Sequence, residues 1–479
     1  MTCMATAQPV IDALLARQDS VIERLKTLLR FESVSTDSAF NPEMQRTRDY
    51  LCAWLAGIGM KNVQLLDGGG HPAVYAAWEE VGTDAPTLII YGHYDVQPAN
   101  PVELWRTPPF EPTIVGDRLY ARGASDVKGS TVIAIETLAE YLAVHGGLPV
   151  NVKLFLEGEE ESGSPSLGRI IAKYGDLLKA DAMISADGGR ASPVTPTINI
   201  GARGLTGFQF EIRTAAKEVH SGRYGGAIRN ALHEMARVVA SLHNPDGSIA
   251  VDALRAIARP VSNAERTNAA ALPFDEAGFL AEVGAAGAGE PGLTIRERLT
   301  LFPSIDVNGM WGGYTGEGSK TVIPEVAHGK ITVRLSPGMD PGAAQQAVRA
   351  HLEAACSEGV TIRFDDSRGA GSPASNIAPD HPLVKAAHKV LLAETGQQPV
   401  LVRLGATVPI TALFSRKLGL DTLMFGMNLP DEDVHAPNEF FHMESIPLGL
   451  KLWPALLAEL AAFTPADFRT ATIRSGVAP

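Results

Sequence analysis

The sequence predicts an α/β fold: a discontinuous domain with a central mixed sheet flanked by helices, interrupted by an inserted α+β segment of ferredoxin-like layout. Two patterns predict it. Short apolar runs alternate with helical stretches over the first 200 residues and again near the end, as in a sheet with crossover helices. Between these regions the pattern changes to strict apolar–polar alternation, the mark of strands with one wet face. A third observation locates a site: His, Asp and Glu residues stand just past several of the apolar runs, where open α/β sheets form their crevices.

The elements follow in order. Ile11, Leu14, Leu15, Val21, Leu25 and Leu28 recur at helical spacing, which predicts one opening helix from Val10 to Phe31. Leu88–Tyr91, Val150–Leu156 and Ala182–Ser185 read as buried strands. Between the first two, Thr131–His145 reads as a helix, stopped by Gly146-Gly147 because a left-handed C-cap favours a residue without Cβ. Near Gly201 the character changes. Leu205–Thr214 alternates through Phe208, Phe210 and Ile212, a helix follows over Asn230–His243, and Ile331, Val333 and Leu335 alternate again. Pro341 opens another helix, and Val360, Ile362 and Phe364 give a last strand. The Ala- and Gly-rich stretch Val283–Gly292 reads as a surface loop. Past Asn376 a helix near Leu383–Glu394 and a strand near Thr422–Phe425 return to the first style. The predicted division is therefore residues 1–200 and 373–479 for the discontinuous domain and 201–372 for the insert.

At 479 residues the chain exceeds what one core serves. Its 45% hydrophobic and 20% charged content are those of a globular protein. The net charge of -13 argues against nucleic acid, whose phosphates need clustered Lys and Arg. Three cysteines without CxxC spacing argue against a disulfide framework and a thiolate zinc site. No run approaches the roughly 18 apolar residues needed to span a bilayer, and the first residues lack a signal-peptide pattern. The expectation is a cytoplasmic protein without a membrane or nucleic-acid partner.

Five places carry the chemistry. Tyr91-Gly92-His93-Tyr94-Asp95 follows an apolar run, and His93 offers a ring nitrogen to a cation while Asp95 can fix its tautomer; a structural hydrogen-bonded pair explains the two equally well. Asp126 precedes a helix, where a capping role is the simpler reading for this residue alone. Glu159, Glu160 and Glu161 form a run of like charge, usually a solvated face, yet this one directly follows a buried strand. Asp187 and His435 stand beside Gly188 and Pro437, as turn formers also do. Together the five outweigh their separate bland readings. Two histidines and four or five carboxylates without thiolate suit Zn²⁺ or Mn²⁺, and suffice for two ions about 3.5–4 Å apart sharing one carboxylate.

With these residues in view, the chain resembles the cocatalytic dinuclear metallopeptidases: carnosinases, cytosolic dipeptidases, aminoacylases, glutamate-releasing carboxypeptidases and succinyl-diaminopimelate desuccinylase. The resemblance runs from about residue 10 to 465. It rests on His93-Tyr94-Asp95, Asp126-Val127-Lys128-Gly129, Glu160-Glu161-Ser162-Gly163-Ser164, Asp187 and His435-Ala436-Pro437-Asn438-Glu439. It implies that His93 and Asp187 bind one metal, Glu161 and His435 the other, and that Asp126 bridges them beside a cis peptide. It implies that Asp95 orients His93 and that Glu160 is the general base, a role that needs reach to the attacking water without being a ligand.

The resemblance also makes the insert a lid and dimerisation domain. Val219-His220-Ser221-Gly222-Arg223-Tyr224-Gly225-Gly226 resembles its oxyanion segment, so His220 is expected to act in trans within a homodimer. Gly318–Pro324 and Val333-Arg334-Leu335 resemble the carnosinase and dipeptidase branch, which implies that Arg334 grips a substrate carboxylate as a fork, with Thr321 assisting. Gly405-Ala406-Thr407-Val408-Pro409 replaces the Gly-Gly-Ser-Ile-Pro of close relatives, so Gly405 and Thr407 are expected at the same carboxylate. Where relatives carry Asp-Met or Asp-Asp, this chain has Asp126-Val127. The expected activity is metal-dependent amide hydrolysis of dipeptides or short peptides with a free C-terminal carboxylate. An N-acyl amino acid deacylase uses the same machinery and is the alternative; a non-catalytic dimeric binding protein is the reading from another class.

Overall fold

Apolar runs flanked by helices have no wet face to keep, and the strands they form here are buried on both sides. The computed structural model describes residues 2–365 and 371–474. Its chain divides into two units, one of Met1–Ile200, Ile377–Val402 and Leu413–Pro479, the other of Gly201–Asn376 and Arg403–Ala412. The first contains β1 (Lys61–Leu66), β2 (Ala73–Trp78), β3 (Thr87–His93), β4 (Asn151–Glu157) and β5 (Ala182–Ser185), and β6 (Thr197–Ala202) leaves it for the second. The strands lie in the order β1–β2–β4–β3–β5, followed by Thr422–Met424 and β6. β3 runs parallel to both β4 and β5, whereas β1, β2 and β4 pair antiparallel, which makes the sheet mixed. β4 is buried along its whole length.

Helices cover this sheet. Gly129–His145 buries Val132, Ile135 and Leu138 against it and ends at Gly146, whose φ of 69° needs the glycine. Ser445–Leu460 adds Leu450, Trp453 and Leu457 to the same core. The single opening helix expected from Val10 to Phe31 is two, Thr2–Ala16 and Gln18–Leu29. They break at Arg17, whose φ of -113° and ψ of 24° are non-helical and whose guanidinium pairs with Glu136 and Glu140, each at 2.5 Å. No single helix among the described residues is long and apolar enough to cross a membrane.

The second unit is built on β7 (Gly204–Arg213), β8 (Ser304–Gly312), β9 (Val326–Leu335) and β10 (Thr361–Asp365), with helices Ala231–Ala240 and Pro341–Ala355. The sheet order β8–β9–β7–β10, all antiparallel, is that of a ferredoxin-like βαββαβ unit. β7 and β9 alternate buried and half-buried residues as their sequences predict, with Phe208, Phe210, Ile331 and Val333 in a core shared with Met235 and Leu352. The sequence reading missed β8, because a register shift between Val307 and Gly309 breaks its period of two. Val283–Gly292 holds no helix or strand and is largely exposed. Residues Arg403–Ala412, assigned from sequence to the discontinuous domain, cluster with the second unit instead. Buried Arg203 explains this, since its Nε donates to the Gly405 carbonyl at 2.9 Å.

Candidate metal centre

Three adjacent parallel strands deliver the first residues. β3 ends at His93, β4 leads within four residues to Glu160 and Glu161, and β5 leads within two to Asp187. The register sets His93 opposite Glu157 and Tyr91 opposite Ser185, so the three ends lie level at one edge of the first unit. Asp126 comes from the turn Ala124–Lys128 before the long helix, next to a cis Asp126–Val127 peptide. His435 comes from a loop in which Asp433, His435 and Asn438 take φ values of 50°, 64° and 68°. Such left-handed backbone on non-glycine residues costs on the order of 1–3 kcal/mol each and is held by its surroundings.

These residues converge. His93 Nε2 lies 3.1 Å from Asp126 Oδ1, and His435 Nε2 lies 2.9 Å from Asp126 Oδ2 and 3.1 Å from Glu161 Oε2. Asp187 Oδ2 is 4.0 Å from His93 Nε2. Ligand atoms of His93, Asp126 and Glu161 all fall within 4.8 Å of one another. Buried Asp95 organises the group: one oxygen is 3.5 Å from His93 Nδ1, whose nearest acceptor is the Asp95 carbonyl at 3.1 Å. Its carboxylate also accepts from Ser35 Oγ and from the main-chain N–H groups of Glu160 and Glu161. Gln97 Nε2 donates to Glu161 Oε2 at 2.9 Å.

The three-glutamate run separates by function of place. Glu159 points away from the cluster and is buried, accepting from His71 N and from Ser166 N and Oγ. Glu161 meets His435. Glu160 touches neither histidine within ion-pair distance, and burial raises its pKa to about 8, with Asp187, Asp126 and Glu161 adding to the rise and His93 opposing it. Burial likewise raises Asp187 to about 6. Burial would also raise Asp126, but hydrogen bonds to His435 and His93 hold it well below the carboxylate range. The same bonds from Asp126 and Glu161 raise His435 to about 10.

That excess of negative charge is the test of fit for a metal. Four carboxylates meet two imidazoles in one crevice, and the two that lack a hydrogen-bonding cation, Glu160 and Asp187, are pushed toward their protonated forms. Divalent cations relieve that repulsion, and an oxygen and imidazole donor set without thiolate suits a hard or borderline ion. The residues present fit the group.

The remaining expected residues lie in the second unit and form two groups of their own. Arg334 Nη1 donates to Thr407 Oγ1 at 2.9 Å, on the loop whose Gly405 is tied to Arg203. His220 stands exposed on a short ribbon opposite Val322. Its Nδ1 accepts from Gly222 N at 3.0 Å, which selects the tautomer with hydrogen on Nε2, and that nitrogen is 3.5 Å from Thr321 Oγ1. Sequence reasoning passed over Ser35, Gln97 and Arg203, which carry no motif signal of their own. Glu439 stood in a quoted motif without a role.

Comparisons with known proteins give the chain a family and a set of structural neighbours. Residues 89–459 match the model of peptidase family M20/M25/M40. The human Beta-Ala-His dipeptidase is 29% identical, over 95% of this chain and 93% of its own. The Schizosaccharomyces pombe Cys-Gly metallodipeptidase dug1 is 26% identical, over 94% and 97%. Among solved structures, human carnosine dipeptidase 1 superposes with a TM-score of 0.76 at 27% identity, covering 95% of this chain and 99% of that one. The metallo-carboxypeptidase Sso-CP2 of Sulfolobus solfataricus gives 0.77 at 29%, covering 92% and 99%.

Proposed function

The chain belongs to peptidase family M20/M25/M40, and from that premise we propose that it is a metal-dependent dipeptidase acting on dipeptides or short peptides with a free C-terminal carboxylate. One observation carries the reading: His93 and His435 approach opposite oxygens of Asp126, while the nearby Glu160 contacts neither imidazole. His93 and Asp187 would hold one divalent ion and Glu161 and His435 the other, with Asp126 offering an oxygen to each; Zn²⁺ or Mn²⁺ suits the donors. When bound, the ions acidify a water and polarise the scissile carbonyl. Glu160 takes the proton from the attacking water and returns it to the leaving amine, and Asp95 keeps His93 in orientation. His220, with its hydrogen on Nε2, supports the developing oxyanion in trans across a homodimer. Arg334, Thr321, Gly405 and Thr407 hold the substrate carboxylate. The free thiols of Cys52 and Cys356 suit a cytoplasmic setting.

Hydrolysis of a panel of dipeptides and N-acyl amino acids, with Mn²⁺ or Zn²⁺ and after chelation, tests the proposal. Dipeptide cleavage that chelation abolishes and metal restores is expected. Cleavage of acylated amino acids alone would move the activity to a deacylase, and cleavage that survives chelation would overturn the metal reading.

Metal loading should also release protons. His435 holds its proton up to about pH 10 while it faces Asp126 and Glu161, so an ion must displace it. Apparent affinity is therefore expected to weaken as pH falls from 8 to 6. Calorimetry in buffers of different ionisation enthalpy reads the released proton directly; equal heats in all buffers would refute this.

Arg334→Ala should raise KM for free dipeptides by about 10–100-fold with little change in kcat, the effect of losing a charged hydrogen bond. Amidating the peptide's C-terminus should cost the wild-type enzyme a similar factor and the variant almost nothing. Equal penalties in both proteins would remove Arg334 from the carboxylate.

A further inference from the structure

We propose that Glu439 is a positioning residue for the metal centre: its buried carboxylate holds the Asp126 turn against the loop that carries His435. The inference rests on the proposed metal site but assigns a role to a side chain outside it. Glu439 is fully buried and both of its oxygens are saturated. Oε2 accepts from Arg122 Nη1 at 2.7 Å and Gly123 N at 3.0 Å, and Oε1 accepts from Ser125 N at 3.0 Å and Asp126 N at 3.1 Å. Three of these four donors are main-chain N–H groups of the turn that presents Asp126. Gly123, at a φ of 81°, lets the chain curl so that they point inward at one anion. The Glu439 carbonyl accepts from Ala121 N at 3.2 Å, so the chain just before the turn hangs on the same residue.

The other end of the link is His435, four residues earlier. Its loop is closed at the base by Phe440 N donating to the Glu432 carbonyl, and the Glu432 carboxylate accepts from Ser125 Oγ and from His442 N. Asp126 and His435 are 309 positions apart in sequence yet meet at 2.9 Å. The segments that carry them are tied at the base by Glu439, with Glu432 as a second tie. A carboxylate removed from water in this way needs a full set of donors, and Arg122 with the three amides supplies it. Glutamine at 439 has the same size but replaces one oxygen with an NH₂ group, which faces two donors and accepts from neither.

The test is Mn²⁺ titration by calorimetry of the metal-free full-length protein, in wild type, Glu439→Gln and the double variant Arg122→Met/Glu439→Gln, with circular dichroism to confirm folding. The double variant removes the guanidinium that glutamine would strand in the interior. Both variants are expected to fold and to bind Mn²⁺ about 10–100-fold more weakly than wild type, the loss typical of a residue that orients ligands. At saturating Mn²⁺ their kcat should recover while KM stays unchanged. A folded Glu439→Gln protein that binds Mn²⁺ within twofold of wild type overturns the inference. So does recovery of wild-type affinity in the double variant, which would mark Glu439 as a partner of Arg122 only, and so does failure of both variants to fold. Absence of Mn²⁺ uptake by the wild-type protein is a separate result: it overturns the metal centre itself, and this inference with it.

Discussion

Glu160→Gln is expected to lower kcat by about 10³-fold while leaving KM, metal content and folding unchanged, the scale of loss when a general base is removed. Glutamine matches glutamate in shape and keeps an oxygen, so the crevice need not rearrange. What disappears is the proton acceptor. Burial and three neighbouring carboxylates put the Glu160 pKa at about 8, and positive charge brought close favours the ionised form. The acid limb of kcat/KM in the metal-loaded enzyme should therefore lie below pH 8, with activity rising as Glu160 loses its proton. That limb should be absent from whatever activity the variant retains. A variant with more than a tenth of wild-type kcat would show that another group carries the proton.

The sequence made much of this site legible because strand ends announce themselves. His93, Glu160, Glu161 and Asp187 follow apolar runs that stop at a polar residue; β3 ends at His93, while β4 and β5 end three and two residues before Glu160 and Asp187. The same reasoning could not separate the three glutamates. Glu159 carries the same charge and follows the same strand, but β4 gives way to a turn that aims it at His71 and Ser166. Strand alternation likewise gave β7 and β9, and failed at β8, where a bulge erases the period. The residues that hold the site from behind were the least legible part. Glu439 and Arg122 are 317 positions apart, and their bond follows from tertiary packing that no local pattern encodes. Arg203 reads locally as an ordinary charged residue, although it is buried and donates to three carbonyls.

Asp126→Asn should have an effect at least as large, for a different reason, and is expected to lower both metal content and kcat/KM. Among the described residues, Asp126 is the one in contact with both histidines, using a separate oxygen for each. Its pKa lies well below the carboxylate range because those two bonds more than offset burial, so it carries its charge at every working pH. Asparagine keeps the size and removes the charge. One of its two positions becomes an NH₂ group that repels any cation and cannot face an ion from either side. Loss of one ion forfeits several kcal/mol of transition-state stabilisation, which is about 10³-fold or more in kcat/KM. Asp187→Asn makes the comparison, since of the two histidines Asp187 comes within ion-pair distance of His93 alone, at 4.0 Å. It should weaken one ion and leave the other in place. Metal analysis of the purified proteins beside kcat/KM reads both effects. An Asp126→Asn enzyme with two ions per chain and near wild-type turnover would mean that the ions are not joined through Asp126, and the pairing of ligands proposed here would have to be redrawn around Glu161 and His435.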